Sequence, residues 1–203
     1  MATRRYDEAA QLRVLGHLDR DARLGFALLC ASRVLPAYER YHLATGRGDW
    51  KAVRRLADKL WEHAAGNRMG RAEVQSALDQ CMDLIPPEDG GSDDRSKYAE
   101  DASMALAYAY RTALTGDAQE AVWAGRCVYE TVDHYASASL SGAFSGFPEE
   151  SRLLGHPAVQ AEIGRQQRDL VELGAIRDVP QLHAALRALR ERSEREAGSV
   201  FIE

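Results

Sequence analysis

The side chains best suited to chemistry in this 203-residue sequence are carboxylates and imidazoles carried on segments of helical periodicity. Asp58 and Glu62 stand four residues apart, His63 follows Glu62 directly, Asp101 opens a later small-residue segment, and Asp133 precedes His134. Facing helices that project such groups inward are how bundles hold metal ions. Glu62, His63, Asp101 and His134 converging in a core would describe a metal-assisted hydrolase. The spacing favours a plainer role: there is no HExxH and no pair of ExxH segments, and Asp58 has Arg54, Arg55 and Lys59 on its own helix. Asp58, Glu62 and Asp101 are therefore read as a structural polar cluster, with no metal or cofactor expected. Asp101 should cap its helix or pair with a Lys or Arg, because an unpaired buried carboxylate costs several kcal/mol.

Other chemistries find less support. The six histidines (17, 42, 63, 134, 156 and 183) are scattered, and the serines near Ser141 lack the GxSxG setting of a nucleophile elbow. Neither GxxxxGK[ST] nor a GxGxxG following a strand occurs, so the common nucleotide-binding loops are absent. The acidic stretch Glu88, Asp89, Asp93 and Asp94, with Gly90 and Gly91 inside it, has the composition of a calcium loop but not its alternating spacing or closing Glu. It reads as a solvated loop able to dock a basic partner surface, with electrostatic complementarity steering the encounter.

Those groups must be positioned by helices. Hydrophobic residues at 45% and charged residues at 28% place the chain among globular proteins, and its length suits one domain spanning 1–203. Acidic residues outnumber basic ones by 31 to 26, a net charge of -5 that disfavours nucleic acid as a partner. Three widely spaced cysteines, Cys30, Cys81 and Cys127, suggest buried thiols in a reducing cytoplasm. The polar N-terminus and the lack of a long apolar run argue against a secretory signal or a membrane span.

Asp101–Leu114 (DASMALAYAYRTAL) is apolar or small around almost its whole circumference, which predicts a buried central helix. Around it the periodicity predicts helices over 8–18, from Ala22 to a stop or kink at Pro36, on through Tyr38 and Tyr41 to Gly46, from Asp49 to Gly66, and from Arg71 to Pro86. Asp117 and Glu120 have the spacing of a capping box opening the next helix, and SASLSGAFSGFPEES reads as a non-helical connection. Pro157 and Pro180 open the last two helices. No stretch alternates with period two, so the fold class is an all-α multi-helix bundle.

Three pieces of the chain carry a resemblance. The first is FALLCASRVLPAYERY (Phe26–Tyr41), continuing through Thr45, Gly46, Gly48 and Asp49 to Asp58, Leu60, Trp61 and Glu62. The second is Ile85 and Pro86 before the acidic loop, with Asp101 and Ala102 after it; the third is His156, Pro157, Val159, Glu162 and Gln166. In this order they resemble the YjaG-like bacterial proteins, catalogued as domain of unknown function 416. The resemblance implies an all-helical single domain of bacterial cytoplasmic origin and brings no catalytic residues. The chain departs from that pattern in its Gly90–Gly91 pair, its Ser-rich segment after Tyr135, and Ser199 with Val200.

The function expected is a non-enzymatic one: stoichiometric binding of another protein, most concretely as an immunity or antitoxin protein covering a basic toxin surface through Glu88, Asp89, Asp93 and Asp94. The rivals are the hydrolase above and a self-associating scaffold using apolar surface near Phe144 and Phe147.

Overall fold

The computed structural model describes residues 3–87, 94–141, 150–176 and 178–197, among which run nine helices and no strand. They are α1 (Glu8–His17), α2 (Arg20–Thr45), α3 (Trp50–Ala64), α4 (Arg71–Asp83), α5 (Asp94–Thr115), α6 (Ala118–Ser141), α7 (Glu150–Leu154), α8 (Pro157–Ala175) and α9 (Val179–Ala197). None is long and apolar enough to cross a membrane.

Short polar caps set several of these boundaries. Asp7, Asp19 and Asp49 each accept a hydrogen bond from the backbone N–H three residues on, occupying one of the orphan donors at the starts of α1, α2 and α3. Gly46 and Gly116 close α2 and α5 in the left-handed region, with φ of 68° and 74°, where a side chain would be strained. Pro157 opens α8 as expected.

In three places the helices run further than the sequence suggested. Pro36 neither stops nor splits α2, which is one helix of 26 residues. A proline there removes one donor, leaving the Ser32 carbonyl without its i+4 partner, and the burial of twelve consecutive residues, Leu24–Leu35, outweighs that local loss. Helix α5 begins at Asp94, so Asp101 lies inside the helix and does not cap it. Helix α6 continues through the Ser-rich segment as far as Ser141, because Ala136 still packs into the core. The capping box is half-formed: Asp117 Oδ1 accepts from Gln119 N–H (2.9 Å), but Glu120 turns to Arg111 (3.0 Å).

Two rods organise the packing. Helix α5 buries Ala99, Ala102, Ala105, Ala107, Ala109 and Ala113, and these short side chains let α2, α4 and α6 approach closely. Helix α2 shares the centre, touching α3, α5, α6, α8 and α9. Tyr110 spans this core and donates its hydroxyl to the Leu56 carbonyl (2.8 Å), so its one polar atom is satisfied. Trp61 is buried on α3 and donates Nε1–H to Ser32 Oγ (3.0 Å).

Candidate functional site

A fully buried charge sits in the middle of α2. Arg33 is 0% exposed, as are Glu162 and Asp169, which α8 presents from the opposite side. Arg33 Nη1 donates to Asp169 Oδ2 (2.7 Å) and Nη2 to Glu162 Oε1 (3.1 Å) and Cys30 Sγ (3.3 Å). Helix α9 adds Arg192, which donates to Asp169 Oδ1 (2.6 Å), and Glu196, whose carboxylate lies 4.0 Å from Arg33. Arg168 joins Asp169 to Glu196 (3.3 and 2.7 Å). Arg165 approaches Glu162 (3.7 Å), and Glu172 takes a bond from Arg192, so four guanidiniums face four carboxylates and the charges balance.

The network extends through amides. Gln166 Nε2 donates to Glu162 Oε1 and to the Gly125 carbonyl (both 2.9 Å), while Gln11 Nε2 donates to Gln166 Oε1 (2.7 Å). Gly125 is closely packed: a Cβ there would lie 3.1 Å from Gln166 Oε1. Burial works against the charge on Arg33, but Glu162, the neighbouring Cys30 and Asp169 hold its pKa above the ordinary arginine value. Burial pushes the Cys30 thiol up, with Glu162 and Asp169 adding to the effect, so it stays protonated. Cys81 and Cys127 are likewise pushed up to about 12, chiefly by burial. A low-pKa nucleophilic thiol needs the opposite surroundings. This arrangement ties α1, α2, α6, α8 and α9 together.

The residues singled out from the sequence lie elsewhere and take separate partners. Asp58 is half-exposed, pairs with Arg54 on its own helix (3.2 Å) and bridges α3 to α9 through Arg190. Glu62 is exposed and meets Asn67 (3.4 Å). Asp101 is buried between α5 and α6, where it accepts from Lys97 Nζ (2.8 Å) and Thr131 Oγ1 (3.0 Å). It thus finds the lysine partner expected of a buried carboxylate, and burial still raises its pKa despite those bonds.

The hydrolase quartet does not assemble. His63 faces the turn after α3, His134 stacks edge-on against Tyr98 at the surface, and Glu62 points to solvent. Among the described residues no three of His, Cys, Asp and Glu are grouped so as to hold a metal ion. Glu88, Asp89, Asp93, Phe144 and Phe147 lie outside the described residues; Asp94 is the first residue of α5.

A second polar site opens where α2, α3, α4 and α5 meet, a cleft of about 400 Å³ that Arg20, His63, Arg68 and Arg71 line together with apolar Met69 and Leu114. Arg20 donates to the Ala113 carbonyl and Arg71 to the Leu114 carbonyl (3.2 Å), both in the last turn of α5, while Arg68 pairs with Asp21. His63 is 7% exposed and accepts the Met69 N–H at Nδ1 (2.9 Å).

Sequence reasoning passed over Arg33, Asp169 and this cleft. A lone arginine in an apolar helix carries no label, and its partners lie 129 and 136 residues away. The available signal was on α8: Glu162, Gln166 and Asp169 fall on the same face as Val159 and Leu173, so polar groups occupy core positions.

Comparison with known proteins adds the family. A model of the family described as "Protein of unknown function (DUF416)" matches residues 11–199. The crystal structure of a DUF416 family protein from Shewanella baltica OS155 superposes with a TM-score of 0.74 at 17% identity, covering 89% of this chain and 93% of that one, which shows a shared fold. No curated protein matches.

Proposed function

We propose that this chain, which belongs to the DUF416 family, is a non-enzymatic helical domain that binds another protein stoichiometrically, most concretely an immunity or antitoxin protein in the bacterial cytoplasm. The feature that supports the reading is the acidic stretch between α4 and α5. Glu88, Asp89, Asp93 and Asp94 join α4 to α5, and the chain on both sides of them, at Pro87 and Arg95, is exposed. A negative segment in a chain of net charge -5 complements a basic protein surface and speeds its capture. The interior supports the same reading, since the buried charges are engaged with one another and the thiols are held protonated.

The test is co-purification with the products of the genes flanking its own, followed by stopped-flow association of any one-to-one complex. Reversing Asp93 and Asp94 to Lys should slow association about tenfold at low salt and flatten its dependence on ionic strength. A complex whose on-rate ignores both the reversal and the salt refutes docking through this segment.

A further inference from the structure

The arginine-lined cleft reverses the sign of the molecule over a small area. In a chain of net charge -5, three guanidiniums converge on one opening, and only Arg68 has a carboxylate partner, Asp21, among the described residues. Arg20 and Arg71 each give one hydrogen bond to the end of α5. A guanidinium carries five N–H donors, so most of theirs stay available. His63 adds one more donor at the same opening. Because its Nδ1 accepts the Met69 N–H, the ring proton sits on Nε2, and the residue lines the cleft.

We propose that this cleft binds the phosphate group of a small phosphomonoester. Three forks and one imidazole N–H offer more donors than the two oxygens of a carboxylate can use, whereas a phosphate monoester presents three terminal oxygens and close to two charges. Met69, Val74 and Leu114 give the cleft apolar walls. Its 400 Å³ would hold about a dozen water-sized groups, which leaves space for an organic substituent beyond the phosphate. His63 remains a neutral donor because burial first, then Arg68 and Arg20, lower its pKa, with Asp21 and Glu73 opposing. The competing account is that Arg20 and Arg71 only cap the carbonyl end of α5, where cations are favoured in any case.

The full-length protein should be titrated calorimetrically with phenyl phosphate, inorganic phosphate and benzoate at constant ionic strength, while the His63 ring is followed by NMR. The expected result is one-site binding of phenyl phosphate, with inorganic phosphate weaker and benzoate weaker still. Phenyl phosphate should raise the pKa of His63, and Arg71→Gln should weaken binding about tenfold. If Arg71→Gln fails to fold, the ring titration of the unaltered protein decides alone. Absence of saturable binding up to roughly 10 mM, equal affinity for benzoate, or a His63 titration indifferent to phenyl phosphate overturns the proposal and leaves the arginines as helix caps. None of these readouts depends on a protein partner, so this inference and the docking one fail separately.

Discussion

Replacing Arg33 with methionine tests whether the buried network holds the fold. Methionine keeps the length and the apolar stem of the side chain but deletes the two charge-assisted bonds to Asp169 and Glu162. Bonds of that kind are worth about 1.5–3 kcal/mol each, and breaking a buried pair from one side costs about 3–5 kcal/mol. Asp169 would keep Arg168 and Arg192 on its other oxygen, and Glu162 would keep Gln166 and Arg165. That residual support points to the lower end, about 3 kcal/mol. Urea unfolding at pH 7 is the assay; with m near 2–3 kcal/mol/M, the midpoint should fall by about 1–1.5 M at unchanged m. Adding Glu162→Gln should cost less than the sum of the two single changes, since the second removes a charge already stranded by the first. A midpoint shift below roughly 0.4 M, or additivity within about 0.5 kcal/mol, would refute the view that these charges act as a unit.

Trp61→Ala should destabilise by about 3–5 kcal/mol, because it leaves a cavity against α2, whereas Trp61→Phe should cost about 1 kcal/mol for the bond to Ser32; denaturant midpoints distinguish the two. Since the fold lowers the pKa of His63 from 6.5, the unfolded chain binds the extra proton first, and stability should fall as pH drops below 6.5. Thermal melts from pH 7.5 to 5 should show a shallower fall for His63→Asn, whose carbonyl can still accept the Met69 N–H; parallel curves would remove His63 as the cause. Reversing Asp93 and Asp94 to Lys should cost no more than about 1 kcal/mol, the share expected of Asp94 at the N-terminus of α5, and a larger loss by urea unfolding would mean that this segment packs into the bundle.

The helical plan was legible because its local signals are strong. Asp49, the stripe from Val53 to Ala64 and the alanines of α5 each specify a helix by themselves, and the structure places them so. What local reading missed is tertiary. Pro36 reads as a breaker by its chemistry, yet the surrounding helices bury α2 on every side and carry it through. Glu120 has capping-box spacing but finds a guanidinium instead, on a helix already passed. Glu162 and Gln166 enter the sequence reading through a family resemblance; that Glu162 takes a bond from Arg33, which belongs to another piece of that resemblance, depends on the distant return of α8 onto α2. The cleft was hidden for the same reason, its arginines coming from two helices and a turn with no common spacing.

The separation between Arg33 and its partners also bears on how the chain is made. The bonds of Arg33 to Glu162 and Asp169 close loops of 129 and 136 residues. At translation rates of 5–20 residues per second, roughly 6–26 s pass between synthesis of Arg33 and synthesis of Glu162. Throughout that interval the emerging α2 carries a cation that its apolar neighbours cannot accommodate without the acidic face of α8. Early collapse of the N-terminal helices is therefore opposed from within their own sequence, and compaction on the ribosome should wait until α8 has left the exit tunnel. Force profiles of stalled chains should show the pull near that length; a pull already present with only α1–α5 exposed would contradict this order.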